Sequence, residues 1–325
     1  MIPPKNEKKF FCLILRQVLT FVVYNAILYK NNGGATMAKL NIYQQEKINN
    51  ERSLSVYKRD DMIQKGRFKL SVQEQRAVLY AISKIKPTDT HLTEYIFDIK
   101  DFYRVIGWKN ESYTEFKALL KGLTDKSWWA EIDNNGTESV LRWFTTARSN
   151  KRSGKVTVKF HEDMMPFLLQ VAEQGEFYTF YNLKYVLPMS SKHSPRLYEI
   201  LKSYQKNNRQ WFFDIDKLKK LMDCENYKNF NDFEKRALKP AVEEINKYTD
   251  ICIAYTAVKE GRKVTRIVFY MDNKTLSERL EAETQINEVL DGQLDIFDMI
   301  DDNHNSVKTD FYNRRSTAHK KEKNR

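Results

Sequence analysis

A chain of 325 residues is long enough for two ordinary domains, and its 41% hydrophobic residues suffice to give each domain a core. An excess of 55 Lys and Arg over 43 Asp and Glu gives a net charge of +12, which favours a polyanionic partner, although basic ribosomal and membrane-surface proteins carry similar totals. Three widely spaced cysteines exclude a disulfide framework and a zinc finger. The sequence contains no histidine cluster, so it predicts no metal site and no cofactor. It also contains no Gly-x4-Gly-Lys-Ser/Thr motif, so it predicts no built-in ATPase.

The first 36 residues differ in character from the rest. An apolar run, Phe10–Tyr29, superficially resembles a signal peptide or a membrane anchor, but three polar residues interrupt it: Arg16, Gln17 and Asn25. The pair Gly33-Gly34 can be encoded by GGA-GGN, a ribosome-binding sequence, a short distance before Met37. We therefore predict that Met37 is the natural start and that residues 1–36 are translated upstream DNA; a genuine anchor is the alternative.

From Leu70 onward the chain repeats one order of elements. Leu70–Tyr80 and Ser194–Leu201 both have apolar residues at helical spacing, each with a serine able to cap the helix. Phe97–Phe102 then matches Phe213–Leu218, and each reads as a short strand that leads into a helix. These second helices are predicted over Asp101–Ile106 and Asp216–Met222.

A third helix follows in each copy, over Ser112–Lys126 and Asn231–Lys247. Both begin with a capping-box pattern, Ser112-x-x-Glu115 and the variant Asn231-x-x-Glu234. Pro240 removes one backbone hydrogen bond, to the carbonyl of Arg236, and should kink or split the second of these helices.

Each copy is predicted to end in a β-hairpin. In the second copy the strands are Ile251–Val258 and Val264–Tyr270. In the first, Trp128–Ile132 and Ser139–Thr145 flank an Asn-Gly turn signal at Gly136. Helix, strand, helix, helix and hairpin is the order of a winged helix, so we predict an α+β protein with two winged-helix domains in tandem and flexible termini.

In a winged helix the third helix enters the major groove of DNA and the hairpin lies along the backbone. We predict that one helix face and the wing of the second copy bind DNA through Lys228, Asp232, Lys235, Arg236, Lys239, Lys259, Arg262, Lys263 and Arg266. The corresponding prediction for the first copy is Lys109, Asn110, Tyr113, Lys117 and Lys121, with a basic loop of Arg148, Lys151 and Arg152. A merely solvated helix face is the alternative interpretation of these charges. The tryptophans and Phe212 are interpreted mainly as core residues rather than base-stacking surfaces.

These segments resemble the iteron-binding plasmid replication initiators, most closely over Leu238–Asp250 and the hairpin Ile251–Tyr270. The resemblance covers residues 53–272. It implies two winged helices related by pseudo-twofold symmetry, a bacterial cytoplasmic location and binding to directly repeated sites at a plasmid origin. It also implies that monomers initiate replication while dimers, associating through the first domain, repress their own promoter. The resemblance also implies that the best candidates for major-groove contacts are Lys235, Arg236 and Lys239.

The C-terminal tail is acidic and then basic, with one short helix predicted at Leu276–Leu290. It contains a five-residue peptide that is similar to the motif that binds the bacterial sliding clamp: Gln293, Leu294, Asp295, Ile296 and Phe297. The alternative interpretation of this peptide is an incidental apolar patch. The expected partners are double-stranded DNA, a second copy, the sliding clamp and helicase-loading proteins, and no membrane.

The predicted domain ranges are 1–36 for the upstream extension, 37–52 for an arm, 53–175 and 176–273 for the two winged helices, and 274–325 for the tail. Two other functions remain open. A transcriptional repressor would use the same domains without initiating replication. A rolling-circle nickase would need clustered histidines and a nucleophilic tyrosine, and the histidine cluster is missing.

Overall fold

The computed structural model describes residues 42–290 except 87, 109–111, 132–135, 171–176 and 207. The predictions for residues 1–36, for Lys109 and Asn110, and for the peptide Gln293–Phe297 lie outside the described residues.

The elements before and within the first copy are helix α1 (Ile42–Arg52), strand β1 (Ser55–Arg59), α2 (Asp60–Lys65), α3 (Val72–Ile82), β2 (Glu94–Asp98), α4 (Ile99–Ile106), α5 (Tyr113–Asp125), β3 (Ser127–Glu131), β4 (Glu138–Arg142), β5 (Phe144–Asn150) and β6 (Lys155–Phe160). A 3-10 turn (Glu162–Met164), α6 (Met165–Leu168), β7 (Tyr178–Asn182) and a second 3-10 turn (Leu183–Tyr185) connect the copies. The second copy contains α7 (Ser194–Gln205), β8 (Gln210–Asp214), α8 (Ile215–Leu221), α9 (Phe230–Phe233), a π-helical turn (Glu234–Leu238), α10 (Lys239–Tyr248), β9 (Ile251–Glu260) and β10 (Lys263–Asn273).

The two copies build the same three-stranded antiparallel sheet. In the first the strand order is β2-β6-β5, and in the second it is β8-β10-β9. Three helices precede the last two strands of each sheet, so the prediction of two winged helices in tandem is confirmed.

The order of strands corrects the predicted wing of the first copy. The Asn-Gly hairpin is present as β3 and β4, but it forms a separate two-stranded sheet. The equivalent of the β9–β10 wing is instead the β5–β6 hairpin. The turn signal at Gly136 therefore correctly predicted a hairpin, but this hairpin is not the wing. The alternation of residues within a strand does not specify which strands pair.

The predicted capping serines differ between the copies. The Ser71 hydroxyl accepts a hydrogen bond from the Glu74 backbone N–H, and the Glu74 carboxylate accepts one from the Ser71 backbone N–H, which makes a complete capping box at the start of α3. Ser194 is the first residue of α7 rather than its cap, and Pro195 next to it favours helix initiation through its fixed φ. The prediction of a serine cap is confirmed for the first copy and wrong for the second.

Large aromatic side chains fill the first core. Trp128 and Trp143 are each 1% exposed and stack with ring centroids 5.5 Å apart. Trp129 and Phe212 are about half exposed and are exceptions to a prediction that holds for Trp128, Trp143 and the partly buried Trp211.

A buried ion pair joins the two copies. Strand β1 pairs with β7, and from it Lys58 reaches Glu199 of α7, with 2.6 Å between Nζ and Oε1. Tyr181 of β7 donates to the same carboxylate at 2.5 Å, and its pKa is raised by burial and by Glu199 so that it stays protonated. The predicted boundary between the two domains lies at residue 175. Strand β7 follows this boundary and β1 precedes it, so the sheet that they form contains residues from both sides. The position of the boundary stays a prediction.

Two buried arginines occupy equivalent places in the copies. Arg76 of α3 donates to the carbonyl of Ile106, the last residue of α4, at 3.0 Å, and Arg196 of α7 donates to Leu221, the last residue of α8, at 3.0 Å. Each arginine also donates a hydrogen bond from Nη2 to a residue outside its own copy. Arg76 donates to the Met189 carbonyl at 2.9 Å, and Arg196 donates to the Gly66 carbonyl at 2.6 Å. Burial lowers the pKa of both to about 10, so both remain charged at neutral pH. A cation at a helix C-terminus is also favoured by the helix dipole.

Residues 276–290 form the helix predicted there. Ala282, Ile286 and Leu290 are almost completely buried, Glu283 pairs with Lys184, and Arg52 of α1 donates to the Leu290 carbonyl at 3.4 Å. This part of the predicted flexible tail therefore packs on the rest of the chain. None of the helices described is both long and apolar enough to cross a bilayer.

We expect Glu199→Gln to lower the free energy of unfolding by roughly 3–5 kcal/mol, because it leaves the buried Lys58 ammonium without a countercharge. Urea denaturation followed by far-UV circular dichroism measures this change. The matched control is Glu94→Gln, which breaks an exposed pair with Arg148 and should change stability by less than about 1 kcal/mol. Equal effects of the two variants would contradict the assigned role of the buried pair.

Candidate nucleic-acid interface

The cap of the third helix of the second copy lies two residues earlier than the predicted Asn231. This cap is Asn229, whose side chain accepts a hydrogen bond from the Asp232 backbone at 2.8 Å and donates to the Asp232 carboxylate at 2.7 Å. The predicted cap at Asn231 is therefore wrong. Two asparagines at adjacent turn positions gave the same sequence signal, and only the backbone conformation at Asn229 distinguishes them.

Pro240 is accommodated by a π-helical turn rather than by a break. The backbone N–H of Lys239 bonds to the Glu234 carbonyl five residues earlier, and Pro240 then lies in the first turn of α10, where a missing N–H is tolerated. Of the two predicted outcomes, a split is wrong, since helical structure continues from Phe230 to Tyr248, and a kink stays a prediction.

The two faces of this helix differ in character, and the basic face is the one predicted. Phe233, Ala237, Ala241 and Ile245 are completely buried against the domain. Lys235, Arg236 and Lys239 are exposed on the opposite side, and Lys228 is exposed in the loop before the helix. Basic side chains on an exposed face are free to meet phosphates and base edges.

Asp232 has a local role that the sequence did not indicate. Besides its contacts with Asn229, its carboxylate lies 3.9 Å from Arg236 Nε across one helical turn. A carboxylate repels phosphate, so a DNA contact through Asp232 stays a prediction while its capping and its proximity to Arg236 are visible.

A tyrosine ties the helix to the wing. Tyr255 of β9 donates to Glu234 of the π-helical turn at 2.9 Å. Burial and the Glu234 carboxylate raise the pKa of Tyr255 to about 12, which keeps the hydroxyl protonated and able to donate. The helix and the wing are therefore held in a fixed relation.

The wing tip of the second copy is a tight turn between β9 and β10. Gly261 adopts a φ of 62°, a left-handed conformation that glycine adopts without strain. Lys259, Arg262 and Lys263 are exposed around it. Arg266 lies farther along β10, 3.4 Å from Asp214 and over the Phe212 ring at 4.6 Å, so it is partly engaged within the sheet.

In the first copy, Lys117 and Lys121 are exposed on α5, which begins at the predicted cap Ser112. Tyr113 is half-buried instead of facing outward. Its hydroxyl lies 3.0 Å from Ser149 Oγ on β5, and Lys151 lies over its ring at 5.7 Å. Tyr113 thus connects the helix to the wing, as Tyr255 does in the second copy.

The corrected wing of the first copy has its basic residues at the tip. Asn150 accepts hydrogen bonds from the backbones of Arg152 and Ser153, and Gly154 completes the turn with a φ of 66°. Lys151 and Arg152 are exposed there, while Arg148 on β5 pairs with Glu94 at 2.6 Å. The signal that could have identified this tip is the run Asn150–Gly154 before the alternating strand Lys155–Phe160.

Within the described ranges, no group of three or more His, Cys, Asp and Glu side chains could hold a metal ion. His193 and Cys224 do form a buried pair, with Sγ 3.4 Å from Nδ1, but His193 also contacts the Met222 carbonyl at 3.0 Å. Burial lowers the pKa of His193 and raises that of Cys224 to about 12, so both are neutral at pH 7. This pair is a packing contact beneath the loop that precedes the third helix of the second copy.

Comparisons with known proteins agree with this architecture. The family model described as initiator replication protein, WH1, matches residues 55–202, and the model described as initiator Rep protein, WH2, matches residues 214–271. The chain is 24% identical over 229 residues to the PI protein of Escherichia coli, an alignment that covers 64% of this chain and 70% of that protein.

A similar fold occurs in the crystal structure of the Pi initiator protein in complex with iteron DNA. The TM-score is 0.56 at 19% identity, and the match covers 69% of this chain and 98% of that chain. With the two family models spanning residues 55–271 apart from 203–213, the chain belongs to the family of initiator replication proteins and carries both of its winged-helix domains.

Proposed function

We propose that this chain is a plasmid replication initiator that binds directly repeated duplex sites, or iterons, at its origin. The observation that carries the proposal is that each of two winged helices exposes basic side chains on its third helix and at its wing tip. Two such domains in one chain suit consecutive grooves of one duplex. Iteron DNA bound to the related Pi protein supports this class of site.

The helix and the wing would have different tasks. Arg236 has the forked donor geometry that matches a guanine edge, and Lys235 and Lys239 flank it on the exposed face. Lys259, Arg262 and Lys263 lie on a turn of the wing, where they would contact phosphates and position the protein without reading sequence. We assign Lys151 and Arg152 the same positioning task in the first domain.

We further propose that the protein represses its own promoter as a dimer that associates through the first domain. A transcriptional repressor without an initiation role would share the same DNA-binding surfaces. Membership of the initiator family favours initiation. The family is one of DNA-binding initiators rather than known enzymes, and a nickase is disfavoured because such chemistry needs clustered histidines.

Footprinting on the source plasmid tests the function. We expect protection of several direct repeats beside an AT-rich stretch, while protection of a lone promoter operator would favour the repressor. The same protein incubated with supercoiled origin DNA and magnesium or manganese should leave the DNA intact. Nicked DNA that depends on the protein would overturn the non-enzymatic assignment.

We expect Arg236→Ala to lower the affinity for the specific site by roughly 1–3 kcal/mol and to relax the preference at one base pair. The reason is the loss of a bidentate donor to a base edge. Fluorescence anisotropy with a set of single-base variants of the site measures both effects. Unchanged affinity and unchanged base preference would show that the recognition helix is misassigned.

We expect Lys263→Ala to weaken binding to all sequences alike and to reduce the slope of log K against log salt by about one. Lys151→Ala combined with Arg152→Ala should reduce that slope by about two, because two phosphate contacts are lost. The matched control is Arg209→Ala, since Arg209 precedes β8 at the end of the sheet opposite the wing tip, where its partner is Asp272. A control that weakens binding as much as Lys263→Ala would refute the wing assignment.

We propose that host proteins are recruited through the tail, with the sliding clamp binding residues Gln293–Phe297 and helicase-loading proteins binding elsewhere. Apolar anchors in an accessible segment suit docking into a groove. Replacing Leu294 and Phe297 by alanine should abolish capture by immobilised purified clamp. Met299→Ala, an apolar change just outside the peptide, serves as the control, and capture that survives the double change excludes this peptide as the clamp ligand.

A further inference from the structure

Helix α3 holds the end of the third helix of the first copy through an ion pair. Lys126 follows α5 as its C-terminal cap, and its Nζ donates to the Glu74 carboxylate at 2.5 Å. The same carboxylate oxygen accepts a hydrogen bond from the Ser71 backbone N–H at 2.8 Å, and the Glu74 side chain is only 10% exposed. This carboxylate therefore ties α5 to the first turn of α3.

The next two residues of α3 reach a different part of the chain, the segment Met189–Lys192, which we call the bridging segment. Gln75 Nε2 donates to the Lys192 carbonyl at 2.7 Å, and Arg76 Nη2 donates to the Met189 carbonyl at 2.9 Å. Both side chains are buried, and a buried polar group that loses its partner is costly. The bridging segment is therefore fixed to α3 at both of its ends.

Glu244 of α10 holds the middle of the bridging segment. Its carboxylate accepts hydrogen bonds from the Ser190 backbone N–H at 2.8 Å, from the Ser190 hydroxyl at 2.6 Å and from the Ser191 backbone N–H at 3.2 Å. Hydrogen bonds to an ionised acceptor are about twice as strong as neutral ones. Burial lowers the pKa of Arg76 and the Glu244 charge raises it, so these two opposite charges also attract each other. The bridging segment thus joins α3 of the first copy to α10 of the second.

Glu244 belongs to a unit in which the helix and the wing are fixed together. Two residues farther along α10, the Asn246 side chain donates to the Ile253 carbonyl of β9 at 2.9 Å and accepts from the Ile253 N–H at 2.7 Å. Tyr255 of the same strand donates to Glu234 in the first half of the helix. A shift at Glu244 would therefore move the basic helix face and the wing tip of the second copy together.

We propose that Glu244 is a positioning residue that sets the distance and the angle between the third helices of the two copies. The protein thereby selects DNA by the spacing between the two segments that these helices contact. The connection runs from α5 through Lys126, α3 and the bridging segment to Glu244. The inference rests on the proposed function and adds a determinant of specificity that touches no base. One inserted base pair would displace the second segment by about 3.4 Å and rotate it by about 35°, which two fixed helices cannot follow.

A base pair inserted between the two segments, which footprinting of the natural repeat locates, tests the inference. We expect the wild type to bind the inserted site about tenfold or more weakly than the natural one, since the misplaced domain loses a base contact. Glu244→Ala should reduce this ratio of affinities about threefold or more, because the second helix can then adapt to the new spacing. Fluorescence anisotropy on the two duplexes measures the ratio.

Two matched variants separate positioning from a loss of folded protein. Glu243→Ala removes an exposed carboxylate from the same turn of α10 and should leave the ratio at the wild-type value. Glu244→Gln keeps one acceptor oxygen for Ser190 but places an amide donor against the Ser191 N–H. It should therefore lower the ratio as well, and it provides the test if the alanine variant does not fold. A merely structural role would weaken binding to both duplexes alike and leave the ratio unchanged.

A double-mutant cycle tests whether the connection is continuous. Lys126→Ala breaks it at α5 and should also reduce the ratio. In the described part of the chain Lys126 and Glu244 share no hydrogen-bonding partner, so independent effects on the ratio would multiply. We expect the two changes together to lower the ratio no further than the stronger single change, because a broken connection transmits nothing more. Effects that multiply would overturn the connection through α3.

The possible results distinguish this inference from the proposed function. Equal ratios for the wild type, Glu244→Ala and Glu244→Gln would overturn the role of Glu244 even though the repeats are bound. A wild type that binds both duplexes with the same affinity would overturn it as well, because the protein would then not select by spacing. Failure of the wild type to bind the natural repeats would instead refute the initiator function.

Discussion

The relation between the two winged helices depends on a buried set of charges at their junction. Lys58, Glu199 and Tyr181 form a closed cluster between β1, β7 and α7. Desolvation makes each isolated charge costly, so these groups favour one arrangement in which all of them are satisfied. The proposed DNA-binding surfaces at the periphery derive their mutual orientation from this interior cluster.

Arg76 and Arg196 add a directional element to the same junction. Each fixes the C-terminal end of the second helix of its own copy and donates to a carbonyl outside that copy. Guanidinium groups suit this role because one rigid fork can satisfy two carbonyls at once. Rotating one domain against the other would break both cross-copy bonds and leave buried donors without partners.

Local patterns in the sequence predicted much of the fold. The existence of both third helices, the serine cap at Ser71 and the helix at Leu276–Leu290 were predicted from helical spacing and capping residues. Other features depend on information that local patterns lack. The pairing of β6 with β2 and β5, which defines the first wing, is a tertiary property, and so is the choice of Asn229 over Asn231 as a cap.

The candidate DNA surface was predictable to a similar degree. Exposure of Lys235, Arg236, Lys239 and Lys263 followed from their place opposite an apolar helix face or near a turn. The positions of Tyr113 and Arg266 could not be predicted in this way. A side chain with an apolar body and a polar end can either face DNA or form a contact within its own domain. Tyr113 reaches Ser149, and Arg266 lies over Phe212.

The anchoring of the C-terminal helix limits the reach of whatever binds beyond it. Arg52 of α1 holds the Leu290 carbonyl, and only Asp291 and Gly292 separate that residue from Gln293. Three peptide units span at most about 11 Å. A sliding clamp bound at the proposed peptide would therefore be tethered close to the end of this helix, where Leu290 contacts Arg52 of α1.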